Sequence, residues 1–122
     1  MLHKFEKLKN IYYVESFIDN FNNVTSEKLG VPPDGRYEKW LRRSLFTLDN
    51  LAVKANGLQT FEKLKNCEFY SMRYPKSKIN PRIIYYIIGN AIILLYVFKE
   101  KSSADYDRAI EKCKNILKKM NT

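Results

Sequence analysis

The stretch RIIYYIIGNAIILLYVFKEK, residues 82–101, decides the fold of this chain. Two runs of β-branched and aromatic residues flank Gly89 and Asn90. A Gly-Asn step between strand formers predicts a two-residue hairpin turn, because glycine tolerates the positive φ that such a turn needs. A membrane helix is the alternative, since residues 83–98 carry no charge. That run is too short to cross a bilayer and is broken in its middle, so the sequence predicts a β-hairpin.

A two-residue turn also fixes which residues of the two strands face each other. Ile88 then faces Ala91, and at the open end of the hairpin Arg82 faces Val97. Side chains alternate between the two faces of a strand, and both faces of this hairpin are apolar. We therefore expect the hairpin at the centre of a sheet, with helices covering at least one side.

The same register predicts a cluster of positive charge. Opposed residues share a face of the sheet, which places Arg82 on one face with Lys99 and Lys101 at the open end. A β-bulge near Phe98 would reverse the facing of the two lysines. The hairpin therefore predicts a basic site where its strands end.

The segments before the hairpin are less uniform. Residues 1–24 fit both a helical and a strand period, and we expect a short helix or turn followed by a first strand. The break VPPDG, residues 31–35, precedes a predicted helix from about Arg36 to Ala55, with Gly57 as a left-handed C-cap. A strand is predicted over residues 67–74.

The segments around the hairpin complete the predicted architecture. A loop over residues 75–81 has prolines at both ends, which keep it out of the sheet. The last helix begins after a cap at Ser102 or Ser103, with acidic residues in its first turn and lysines in its last. The fold class is α+β, one domain over residues 1–122, with an antiparallel sheet of three to four strands packed against N-terminal helices and a C-terminal helix.

Charge and composition narrow the possible partners. The formal net charge is +9, and residues 61–122 hold thirteen Lys or Arg against six Asp or Glu. This excess favours a polyanionic partner such as nucleic acid, or an acidic protein, although solubility alone is an equal alternative. Cys67 and Cys113 lack metal-ligand spacing, and no signal segment opens the chain. We therefore expect free thiols, a cytoplasmic location and no membrane association.

The available chemistry is that of arginine, lysine and tyrosine. His3 is the only histidine, and the sequence has no metal-ligand cluster or Gly-rich phosphate loop. Cations around a phosphodiester bind it and stabilise the charge that develops during its transfer. Each candidate also has a structural interpretation, as a salt-bridged strand residue, a core tyrosine or a solvated lysine. The candidates are Arg82, Lys99, Lys101 and Tyr106 as catalytic residues, and Arg73, Lys76 and Lys78 as RNA-binding residues.

The order of motifs resembles the RelE/ParE superfamily of toxins, and within it the HigB-like, phage-derived branch. The resemblance covers about residues 36–117. It rests on FEKLKNCEFYSMR (residues 61–73), on RIIYY (residues 82–86) and on IILLYVFKEK (residues 92–101), followed by a final helix. Each motif is degenerate, and their order and spacing carry the resemblance.

The resemblance implies a RelE-like fold and a toxin of a type II toxin–antitoxin system. Such a toxin would be a ribosome-dependent mRNA endoribonuclease that inhibits translation, with the neighbouring RNA 2′-hydroxyl as nucleophile and no metal or other cofactor. Its partners would be mRNA on the ribosome and a cognate antitoxin, expected to be a helix-turn-helix protein. The family's paired arginines fall on Arg73 and Arg82, its strand-end cations on Lys99 and Lys101, and its late tyrosine on Tyr106.

Three positions depart from the family pattern. Glu100 stands where RelE-like toxins have an arginine, and Phe69 and Ser71 stand where they have lysines. Two alternatives therefore remain open. One is a non-enzymatic gyrase inhibitor of the ParE type, and the other is a degenerate phage-derived module that binds nucleic acid or protein.

Overall fold

The computed structural model describes residues 2–120, which form an α+β fold with a six-stranded mixed sheet and three α-helices. The strand order is β1-β2-β6-β5-β4-β3, and all neighbours are antiparallel except β2 and β6, which are parallel. The α+β class is confirmed, although the sheet exceeds the three to four antiparallel strands expected. The elements are β1 (Leu2–Lys4), β2 (Ile11–Val14), α1 (Phe17–Thr25), α2 (Arg36–Leu51), a 3₁₀ helix (Ala52–Gly57), β3 (Phe61–Lys63), β4 (Phe69–Arg73), β5 (Pro81–Ile88), β6 (Ala91–Lys99) and α3 (Ser103–Met120).

The predicted hairpin is confirmed as β5 and β6, the two central strands of the sheet. Gly89 has φ +60° in the turn, and Ile88 pairs with Ala91 as expected. The predicted register holds as far as the pair of Tyr85 and Leu94. Turn chemistry therefore determined the hairpin and its first pairs.

A β-bulge then changes the register toward the open end. Leu95 is an extra residue in β6, so that Arg82 pairs with Phe98 and not with Val97. Lys99 pairs with Pro81, one position away from Arg82. The predicted placement of Arg82 on one face with Lys99 is therefore wrong, because one inserted residue reverses the facing of everything after it.

The two long helices approach the end of β4 through different residues. Ser71 of β4 contacts α3 through Tyr106, while Tyr74, just past the end of β4, stacks on Trp40 of α2. Helix α2 buries Leu41, Leu45, Leu48 and the ring of Trp40 in the core. No helix within residues 2–120 has both the length and the apolar character needed to cross a membrane.

Helix α1 completes the edge of β6 that β2 leaves open. Strand β2 pairs only with residues 92–94 of β6. Beyond them, the Asn20 side chain donates to the Val97 carbonyl at 2.9 Å and accepts from the Val97 N–H at 2.7 Å. One amide side chain thus takes the place of a strand partner for a fully buried residue.

Several element boundaries differ from the predictions. The first strand is confirmed as β2, but β1, β3 and α1 were not predicted. Helix α2 ends at Leu51, and the positive φ lies at Ala52, not at Gly57, because the chain tightens there into the 3₁₀ helix. Pro81 is the first residue of β5, a position where the missing N–H is tolerated.

Candidate functional site

The bulge in β6 gives Arg82 a carboxylate partner. Once Arg82 pairs with Phe98, the residue two positions further along β6, Glu100, lies on the same face. The Arg82 Nε donates to Glu100 Oε2 at 2.8 Å, and Nη2 contacts the same oxygen. The Arg82 side chain is 6% exposed and that of Glu100 is 27% exposed. The most buried cation of the predicted site is therefore neutralised within the chain.

One nitrogen of that guanidinium remains without a protein partner. Arg82 Nη1 is buried and makes no hydrogen bond, and the same holds for Oδ1 of Asn80, two residues earlier. Asn80 has φ +53°, a conformation that places it at the sharp entry from the loop into β5. Buried polar atoms without partners are rare, and they concentrate where a ligand or functional role compensates for them.

A cavity of 690 Å³ lies beside this pair at the open end of the hairpin. Three of the predicted cations line it: Lys78 from the β4–β5 loop, and Lys99 and Lys101 from the end of β6. Glu100 is the one acidic residue in its wall. The structure therefore brings Lys78, Lys99 and Lys101 together next to Arg82, although the facing predicted for the lysines was wrong.

Tyr106 lies at the start of α3, close to the same pair. Its hydroxyl is 3.2 Å from Ser71 Oγ, and its ring packs edge-on against Phe98 with centroids 5.0 Å apart. Burial raises the pKa of Tyr106, while the hydrogen bond with Ser71 and the charge of Arg82 act against that rise. Tyr106 is therefore protonated at neutral pH and can donate or accept a hydrogen bond, but it is a poor base.

Arg73 and Lys76 line a different cavity. Arg73 pairs with Arg82 in the sheet, yet its Nη2 donates to the Gln59 carbonyl at 3.2 Å, on the side away from β5. Both residues line a cavity of 370 Å³ with Arg43, between α2 and the end of β4. Arg43 is not among the candidate residues predicted from the sequence, because an arginine on a helix face is more often solvated than bound to a ligand. Its spacing of three residues from Trp40 was the signal that it belongs to this side of α2.

Other residues with reactive side chains lie elsewhere. His3 bonds to Glu15 at 2.8 Å near the β1 edge of the sheet, outside both cavities. Cys67 and Cys113 are free thiols, and burial raises the pKa of the Cys113 thiol to about 12. Within residues 2–120, no three His, Cys, Asp or Glu side chains group in a way that would hold a metal ion. The chemistry near the hairpin end is that of lysine, arginine and a protonated tyrosine.

Comparison with known proteins relates the fold to one class of complex. A chain of the RelB-RelE antitoxin-toxin complex from Methanococcus jannaschii superimposes on this protein with a TM-score of 0.51. The match has 21% sequence identity and covers 77% of this chain and 95% of that chain. The expected RelE-like fold is confirmed. No protein-family model matches the sequence, and no curated protein does.

Proposed function

We propose that this chain is the toxin of a type II toxin–antitoxin system and acts as a ribosome-dependent mRNA endoribonuclease. The proposal includes the HigB-like branch and a single toxin domain over residues 1–122. The observation that carries it is the cationic cavity at the open end of the hairpin, formed by Lys78, Lys99 and Lys101 beside Arg82. The cavity lies on a fold shared with a chain of an antitoxin–toxin complex.

The reaction would be an internal transfer at one RNA phosphate. The neighbouring 2′-oxygen bonds to phosphorus while the bond to the 5′-oxygen breaks, leaving a 2′,3′-cyclic phosphate and a 5′-hydroxyl. One of Lys99 and Lys101 accepts the 2′-hydroxyl proton, and the other neutralises charge and supplies the proton to the leaving oxygen. Cations around the phosphate stabilise the negative charge that increases in the transition state.

Arg82 and Tyr106 would act next to the two lysines. Arg82 binds the phosphate through the nitrogens that Glu100 now occupies, once phosphate displaces that carboxylate; Nη1, which has no protein partner, is enclosed and comes within reach only after that displacement. Tyr106 holds a base or orients the phosphate through its protonated hydroxyl. Lys76, Lys78 and Arg73 contribute phosphate contacts away from the reacting atoms.

The proposed protein partner is a cognate antitoxin of the helix-turn-helix type. A basic cavity at the end of a sheet is complementary to an acidic or amphipathic segment, which would neutralise it and exclude RNA. The strongly positive second half of the chain supports this mode of inhibition.

The test is induced expression in cells with the rate of translation measured after induction. Wild type should arrest translation, and Arg82→Ala should relieve the arrest. Because Arg82 is buried and its loss affects folding, the double variant Lys99→Ala/Lys101→Ala, at two exposed positions, is the second arm. Undiminished translation with the wild type would refute the proposal.

One observation favours a second candidate function. Glu100 already satisfies two nitrogens of Arg82, which suits a binding protein better than a nuclease that needs this cation free. The candidate is a non-enzymatic gyrase inhibitor of the ParE type, or a phage-derived binding module. Inhibition of DNA supercoiling by the purified protein, without cleavage of mRNA on stalled ribosomes, would establish the gyrase inhibitor.

A further inference from the structure

The cavity between α2 and the end of β4 holds the least neutralised positive charge near the candidate site. Arg43, Arg73 and Lys76 line it, and no Asp or Glu does. The ion pairs within residues 2–120 involve His3 and three arginines, none of them in this cavity; they are His3–Glu15, Arg42–Glu38, Arg82–Glu100 and Arg108–Asp105. Arg82 forms an ion pair with a carboxylate, whereas Arg43, Arg73 and Lys76 form none with any described residue.

Contacts within the walls of the cavity position Arg73 and the ring of Tyr74. The Gln59 carbonyl orients Arg73 at one side. At the other, Tyr74 stacks on Trp40 with ring centroids 5.5 Å apart and accepts a hydrogen bond from Arg36 Nε at 3.3 Å. This hydrogen bond, together with a weaker effect of Arg43, lowers the pKa of the Tyr74 hydroxyl. Arg43 of the cavity thus acts on the Tyr74 hydroxyl, although the larger effect comes from Arg36, outside the cavity.

The surface chemistry of this cavity suits a nucleic-acid backbone better than a protein segment. Its large apolar members, Trp40 and Phe61, are only 5% and 6% exposed. Protein interfaces need an apolar core that becomes buried on binding. The polar groups of its lining are guanidinium, ammonium and hydroxyl groups, the last from Ser44 and Thr47 of α2, and these are the groups that contact phosphate and sugar. The rest of the exposed lining is apolar, and single-stranded nucleic acids also use such surface, because their bases stack beside a cationic groove.

This cavity adjoins the one at the open end of the hairpin. The β4–β5 loop, residues 74–80, separates them, and its two exposed lysines divide between them: Lys76 lines the first cavity and Lys78 the second. Arg73 and Arg82, at the two ends of that loop, are directly paired in the sheet. A single strand that crosses the loop therefore passes from one cationic cavity to the other.

We propose that Arg43, Arg73 and Lys76 form a second phosphate-binding subsite for the same single-stranded RNA that the hairpin end engages. This inference rests on the proposed function and extends it, because the RNA would then contact the protein at a second phosphate as well as at the reacting one. It also assigns a role to Arg43, a helix residue outside the hairpin site.

The test measures RNA affinity as a function of strand length and salt. Fluorescence anisotropy would follow single-stranded RNAs of roughly 4 and roughly 12 nucleotides, the lower and middle range of single-strand site sizes. In the triple variant Arg43→Ala/Arg73→Ala/Lys76→Ala, the slope of log K against log salt for the longer RNA should fall by about 2, and affinity at about 0.15 M salt by roughly 50-fold. For the shorter RNA, the salt slope and the affinity should fall much less.

A matched variant controls for net charge. Lys65→Ala/Lys114→Ala/Lys118→Ala removes the same charge from exposed positions that line neither cavity, and should leave the salt slope within about 0.7 of the wild type. Equal losses in both triple variants, or an unchanged slope in the cavity variant, would overturn the inference, together with the phosphate contacts proposed for Arg73 and Lys76, while leaving the proposed cleavage at the hairpin end intact. Tighter binding of a poly-glutamate peptide than of RNA, if the cavity variant loses that binding, would overturn it in favour of an acidic protein partner at this cavity.

Two further outcomes separate the subsite from the proposed function. A wild type that binds no free RNA contradicts the subsite but not the nuclease, which acts on mRNA held by the ribosome. A wild type whose RNA binding depends on the cavity, but which cuts no mRNA on ribosomes, contradicts only the nuclease. Should the cavity variant not fold by circular dichroism, the charge reversals Arg43→Glu and Lys76→Glu, both at exposed positions, give the same slope measurement.

Discussion

Replacing Glu100 with alanine should destabilise the protein and at the same time free its most buried cation. Arg82 is 5% exposed, and Glu100→Ala leaves its Nε and Nη2 without their acceptor, in addition to the unpaired Nη1. Removing one partner of a fully buried ion pair costs about 3–5 kcal/mol. Because the Glu100 side chain is 27% exposed and water reaches that side of the pair, we expect a smaller loss of about 2–3 kcal/mol.

The assay is urea unfolding followed by the fluorescence of Trp40, the single tryptophan, which is 5% exposed in the core. A loss of that size corresponds to roughly 8–12 °C in melting temperature for a chain of this length. The double variant Arg82→Met/Glu100→Ala removes both charges and should recover most of the lost stability, because a buried pair is replaceable by apolar side chains. A free energy of unfolding for Glu100→Ala within about 0.5 kcal/mol of the wild type would refute the reasoning.

Three further predictions concern contacts that hold the frame of the site. Asn20→Ala leaves the buried N–H and carbonyl of Val97 unpaired and should lower the free energy of unfolding by about 1–3 kcal/mol in urea denaturation. Gly35→Ala puts a Cβ 2.2 Å from the Glu27 carboxyl carbon and displaces the carboxylate that caps the first N–H groups of α2. The free energy of unfolding should therefore fall by about 1–2 kcal/mol, as it should in Glu27→Ala. Burial disfavours the charged form of Glu38, but hydrogen bonds from a backbone N–H and from an arginine outweigh burial and hold the pKa of its carboxyl below 4.5. The free energy of unfolding should therefore fall as the pH drops below 4.5, and it should fall less steeply in Glu38→Gln.

Local chemistry made the hairpin and the last helix predictable. The Gly89-Asn90 turn fixes the first pairs of β5 and β6 whatever surrounds them. Helix α3 begins where the serines and acidic residues indicated, with the Asp105 carboxylate accepting the N–H groups of Lys101 and Ser102. These signals act within a few residues, and for that reason they can be identified in the sequence.

Elements that depend on distant partners were not predictable. Strands β1 and β3 have three residues each and form only by pairing with β2 and β4. The parallel pairing of Ile11 with Ile92 joins segments far apart in the chain and has no local sequence signal. The bulge at Leu95 lies within the hairpin, three residues before the position near Phe98 where the sequence allowed one. It left the hairpin intact but changed the facing of its end, and so gave Arg82 a carboxylate neighbour.

The candidate site was predicted in composition but not in arrangement. The basic character of the hairpin end is a property of the strand termini, so Lys99 and Lys101 were identifiable. Their separation from Arg73 and Lys76 was not, because it depends on how the β4–β5 loop divides the surface into two cavities. Arg43 was missed because a helical arginine is usually solvated, and only the docking of α2 places it in a cavity.

The most direct test of the proposed function is primer extension on an mRNA held in purified, stalled ribosomes and treated with the purified protein. New 5′ ends should map to the codon in the ribosomal A site, and Lys99→Ala/Lys101→Ala should reduce their yield on the order of a hundredfold. Lys65→Ala/Lys114→Ala, with the same change of charge away from the hairpin end, should cut as the wild type does. The absence of new ends, or equal cleavage of the same mRNA without ribosomes, would contradict a ribosome-dependent nuclease at this site.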